Sequence, residues 1–71
     1  MKKWYSLIPD GSIDYAIRNN KTGEIEAIIA KLSKGYRRFV RGANGDWEPA
    51  LFAREFTSLK KVRAYYDRIH A

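Results

Sequence analysis

The sequence predicts an α+β fold: a small antiparallel β-sheet of three to five strands, arranged as a meander, with one C-terminal amphipathic α-helix packed on a face. Two features of the chain predict the sheet and a third predicts the helix. Turn signals recur at Pro9-Asp10-Gly11, at residues 19–23, at Ser33-Lys34-Gly35 and at residues 42–45. The segments between them are short and rich in Ile, Tyr, Val and Phe, the composition of strands. After Thr57-Ser58 the pattern changes, and Leu59, Val62, Tyr66 and Ile69 follow at three- and four-residue spacing.

The expected strand segments are residues 3–8, 13–18, 24–32, 36–41 and 47–56. Asn19, Asn20 and Gly23 between two apolar runs suit a hairpin with a glycine in the left-handed region, and Asn44-Gly45 offers the same to the fourth connection. Residues 24–32 read in two ways. Ile25, Ile28, Ile29 and Leu32 fall at helical spacing, with glutamates in the first turn and Lys31 and Lys34 near a stop at Gly35. As a strand, Ile25, Ala27 and Ile29 alternate less cleanly with Glu24, Glu26 and Ile28. The hairpin chemistry on the flank favours the strand. In the last segment Thr57-Ser58 offers a hydroxyl cap. Tyr65 widens the apolar stripe, and Lys60, Lys61, Arg63, Asp67 and Arg68 take the polar side.

With 71 residues the chain holds one small basic domain, spanning 1–71. A hydrophobic fraction of 45% and an aromatic fraction of 14% supply a packed core. Cysteine is absent, which removes disulfide staples, thiolate zinc sites and cysteine nucleophiles together. It also fits a cytoplasmic setting. No apolar run approaches bilayer-spanning length, and the two lysines at the start precede no signal-like stretch. No membrane association is expected.

Catalytic chemistry finds little to use. The one histidine, His70, stands next to the last residue, where order is least reliable and a general base is poorly held. Asp10 and Asp14 echo the first ligands of a calcium loop, yet Tyr15 stands where that loop needs glycine and Lys21 where it needs glutamate. Gly42 and Gly45 lack the lysine and hydroxyl of a phosphate-binding loop. The pairs Glu24/Glu26 and Asp46/Glu48 read as solvated acids. The chain is expected to be no enzyme, and to take no metal, cofactor or small-molecule substrate.

Charge is the remaining signal. The formal charge is +6, from 14 basic and 8 acidic side chains. That excess favours nucleic acid, an acidic protein surface or anionic lipid, and it also serves solubility alone. Lys31, Lys34, Arg37, Arg38 and Arg41 surround Gly35 without an acid among them, with Tyr36 and Phe39 interleaved. On a strand, Arg37, Phe39 and Arg41 share one face and Tyr36, Arg38 and Val40 the other. Arginines there can hold phosphates bidentately or stack on bases. Lys60, Lys61 and Arg63 add a second cluster on the helix. The same charges also serve to block edge-to-edge aggregation and to solvate a helix face. Of the tryptophans, Trp47 is expected in the core, and Trp4 suits core or surface equally.

From Tyr36 onward the chain resembles the plant ethylene-response type of DNA-binding domain, in the segments YRRFVR, GDW and EFTSLKKVRAYYDR. Integrase amino-terminal domains share that sheet-plus-helix plan. The resemblance implies Arg37, Arg38 and Arg41 as phosphate and base contacts. The chain departs from the family between Trp47 and Phe56, an interval too short for the family's extra hairpin. Two functional expectations follow. The first is a non-enzymatic nucleic-acid-binding or nucleic-acid-associated regulatory module, with Lys31, Lys34, Tyr36, Arg37, Arg38, Arg41, Lys60, Lys61 and Arg63 as its contact residues. The second is a small regulator or inhibitor that binds a larger protein machine, such as RNA polymerase or a nuclease complex, through an acidic surface. Compact, cysteine-free chains of this kind resemble the host-takeover proteins of bacteriophages.

Overall fold

The turn punctuation of the sequence becomes a single sheet. A computed structural model describes residues 3–12 and 14–69. The chain runs β1 (Tyr5–Asp10), β2 (Asp14–Asn19), β3 (Ile25–Leu32), β4 (Gly35–Arg41), β5 (Trp47–Pro49), β6 (Glu55–Phe56) and α1 (Leu59–Ile69). Every strand pair is antiparallel, and the order β1-β2-β3-β4-β5 is a meander, with β6 also on β4. The sheet thus has six strands, exceeding the expected three to five. Ile13, expected to open the second strand, and His70 lie outside the described residues.

The β2–β3 connection forms as its residues suggest. Asn19 Oδ1 accepts hydrogen bonds from the Lys21 and Thr22 amides (2.8 and 3.1 Å). The Gly23 amide donates to the Asn19 carbonyl (2.7 Å), with Gly23 at φ 80°. The strand reading of residues 24–32 holds. Its weak alternation has a local cause. Ile17 pairs with Ala27 and Arg18 with Ile25, so Glu26 is an extra residue in the ladder. Past that bulge, Ala27 and Ile29 are buried on one face while Ile28 takes the other.

The expected fifth strand needs correction. Residues 47–56 are two short strands on one edge of β4. Phe39 pairs with Pro49 and Arg37 with Glu55, which leaves Arg38 opposite the whole interval between them. Its carbonyl accepts from the Ala50 amide (3.0 Å) and its amide donates to the Arg54 carbonyl (2.7 Å). Residues 51–53 are extruded from what is otherwise one continuous pairing. Pro49 sits on the outer edge, where a missing amide donor costs no ladder bond.

The core is built from alternate residues. Tyr5, Ile17, Ala27, Ile29, Val62 and Tyr66 form one buried cluster, with Trp4, Leu7, Tyr15, Tyr36, Val40, Phe56, Leu59 and Tyr65 packed against it. Val62 and Tyr66 of α1 belong to that cluster, and the Tyr66 ring lies 5.5 Å from that of Tyr5 in β1. The helix starts at Ser58, whose Oγ accepts from the Lys61 amide (3.3 Å). Two expectations about large side chains are overturned. Ile69, placed on the buried stripe, is 43% exposed, because it falls in the last turn beyond the cluster. Trp47, expected in the core, is 36% exposed on the outermost strand, where no further strand covers it. Trp4 is half-buried and donates from Nε1 to the Tyr66 carbonyl (3.1 Å). Among the described residues no helix is long and apolar enough to cross a membrane.

Candidate nucleic-acid interface

Strand β4 sorts the expected contact residues into two rows, as alternation requires. Tyr36, Arg38 and Val40 form one row. Tyr36 and Val40 pack on the core cluster, and Arg38 reaches α1 through Tyr66. Arg37, Phe39 and Arg41 point the other way.

Registering that second row across the sheet gives a continuous surface. Ile8 stands opposite Ala16, Ala16 opposite Ile28, Ile28 opposite Phe39 and Phe39 opposite Pro49. An apolar band thus crosses five strands. Along one side of it run Trp47 and Arg41, paired with each other, and further on Arg18, paired with Ser6. The Arg41 guanidinium lies 4.5 Å from the Trp47 ring centroid and donates to the Gly45 carbonyl (3.1 Å). Along the other side Arg37 is bridged to Glu55 (2.8 Å), and Asp14 follows beyond Ala30. The positive charge is therefore lopsided, concentrated on the Arg18–Arg41–Trp47 side.

Arg38 occupies a different position from its neighbours. Its guanidinium donates from Nη2 to the Phe52 carbonyl (2.8 Å), from Nε to the Ala53 carbonyl (3.1 Å) and from Nη1 to the Tyr66 hydroxyl (3.2 Å). It also stacks 5.0 Å from the Tyr65 ring and 5.9 Å from the Tyr66 ring. All these donors are spent within the protein. Burial pushes the Tyr66 hydroxyl up from its ordinary pKa, and the hydrogen bond from Arg38 opposes that rise.

The remaining expected contacts scatter. Lys31 is exposed, with Nζ 5.0 Å from the half-buried Tyr36 ring, and Lys34 is exposed in the β3–β4 turn. Lys60, Lys61 and Arg63 are exposed on α1. Arg63 contributes its carbonyl to the Tyr5 hydroxyl (3.1 Å) and lines a groove of about 590 Å³ with Lys3, Tyr5, Ser6, Leu7, Arg18 and Asn20. Tyr5 also donates to Asp67 (2.9 Å), which is bridged to Lys3 (2.7 Å). Burial first, then the Asp67 hydrogen bond and charge, push the Tyr5 hydroxyl up to about 12. Lys3 and Tyr5 together hold the Asp67 carboxyl below its usual range.

Two residues of the Phe39 face escaped the sequence reading. Arg18 carried a usable signal, since it shares a face with Ala16 and Asp14 on a strand with apolar residues on both faces. Trp47 was read as core because nothing in the sequence marks β5 as the outer strand. Among the described residues no group of three or more His, Asp or Glu stands close enough to hold a metal. Neither protein-family models, curated proteins nor solved structures give a match to this chain, so the likeness read from Tyr36 onward gains no support.

Proposed function

We propose that this chain is a non-enzymatic nucleic-acid-binding module that lays an unpaired strand across the Phe39 face of the sheet. In this reading α1 is docked on the opposite face through Leu59, Val62 and Tyr66, which leaves the Phe39 face free. The observation that carries the proposal is the conjunction on that face of Phe39 and an exposed Trp47 with Arg18, Arg37 and Arg41. Unstacked bases lose water against aromatic rings, and flanking cations hold the phosphates. A net charge of +6 steers the polyanion in. Trp47 and Arg41 already stack face to guanidinium, an arrangement that a base can extend.

The test is the salt dependence of oligonucleotide binding. Affinity for a single strand should fall linearly on a log–log plot, because each neutralised phosphate releases condensed counterion. Replacing Arg18, Arg37 and Arg41 with alanine should flatten the slope by about two units. Arg38 is left out of this set, since its guanidinium is already engaged with Phe52, Ala53 and Tyr66. A wild-type chain that retains no single-stranded DNA or RNA at low salt ends the proposal. Retention on an acidic protein instead would favour the regulator of a larger machine.

A further inference from the structure

Residues 50–54, between β5 and β6, carry the two barest large apolar side chains among the described residues. Leu51 is 84% exposed and Phe52 79%. The backbone beneath them is held tightly. Arg38 grips the Phe52 and Ala53 carbonyls, and Arg54 Nε donates to the Ala50 carbonyl (3.1 Å). Both ends of the excursion are closed by the Arg38 backbone, and Ala50 is buried as an anchor. Ala53 takes φ 50°, a conformation an L-residue keeps only when its surroundings impose it. A half-buried arginine is thus spent on holding the backbone beneath two bare apolar side chains. Such preorganisation removes most of the ordering cost of an anchor.

The surroundings indicate what it anchors to. Arg54 is exposed within the excursion. Lys61 and Arg68 line a shallow groove at its base with Ala53, Phe56, Ala64 and Tyr65. A flat apolar target framed by negative charge fits this pair, and the end of a nucleic-acid duplex is such a target. Leu and Phe serve as wedges against base steps, where the ring stacks and the cations take the phosphates. The excursion follows directly from Trp47 and Pro49, which border the Phe39 face.

We propose that Leu51 and Phe52 form a rigid wedge that stacks on the terminal base pair of a duplex, one strand of which continues unpaired across the Phe39 face. The ligand class is a junction between duplex and single strand. This rests on the nucleic-acid reading of that face. The experiment compares three fluorescent oligonucleotides by anisotropy: a single strand, a blunt duplex, and a duplex with a single-stranded overhang. The wild-type chain should prefer the junction to the single strand by about tenfold, the contribution of one stacked base. The double variant L51A/F52A should lose that preference and keep its single-strand affinity. Both side chains are exposed, so its circular dichroism should be unchanged. Equal wild-type affinity for single strand and junction, or a preference surviving in the double variant, overturns the wedge and leaves the reading of the Phe39 face standing. A wild-type chain that ignores all three oligonucleotides removes both proposals, and assigns the apolar pair to a pocket on a protein.

Discussion

Arg38 illustrates how one residue can mislead a reading of composition. In sequence it is one of a row of arginines, equal to Arg37 and Arg41. In the fold it alone lies in the row that meets α1, and its donors satisfy two loop carbonyls and a tyrosine hydroxyl. Alternation on the strand was legible, and it separated Arg38 from its neighbours correctly. What Arg38 meets was not legible, because the excursion that receives it is fixed by pairing across β4. Tyr5 makes a different point, about protonation. Its hydroxyl titrates at about 12, above the value of an exposed tyrosine, so the folded state holds that proton more firmly than the unfolded one. Stability from this group is present in full below pH 10 and is lost as pH rises through 12. Alkaline unfolding followed by circular dichroism should therefore begin at higher pH in Y5F than in the wild type. Identical alkaline transitions would remove Tyr5 from the account.

At the level of elements, the helix was the most legible and the edge of β4 the least. Ser58 caps the helix as its hydroxyl suggests, and Ser58→Ala should cost about 1 kcal/mol in denaturant unfolding. Val62 is fully buried in the core cluster. Val62→Asp places an unpaired charge there and should leave no cooperative thermal transition; an unchanged transition would show that the helix contributes nothing to the core. The pattern of β3 was blurred by its own bulge, since the extra Glu26 disrupts the period that identifies a strand, and the flanking hairpin residues carried the strand reading. The two-strand nature of residues 47–56 was hidden for another reason. The apolar pair Leu51-Phe52 looks like strand interior in sequence, and only the register of Phe39 with Pro49 and Arg37 with Glu55 shows that it is extruded. Composition reports what a side chain prefers, and register decides whether it gets it.

Across the whole molecule, most pairing is between neighbours in sequence, as a meander requires. The hydrogen bonds between the start of the described chain and α1 span the greatest separations. Lys3, Trp4 and Tyr5 reach Arg63, Tyr66 and Asp67 across 58 to 64 residues. That division has a consequence in time. Hairpins close short loops and are cheap to form early, whereas contacts of large sequence separation bear a loop-closure cost until the intervening chain is ordered. The sheet is therefore expected to assemble at the folding barrier, with the helix closing over Tyr5 on the downhill side. Stopped-flow kinetics should record this in Val62→Ala, whose loss of about 2 kcal/mol should appear as faster unfolding at an unchanged folding rate. A slowed folding limb would place the helix in the nucleus. If the helix does close last, it is also the first part to let go, and the lifetime of the native state is set by how long α1 keeps hold of β1.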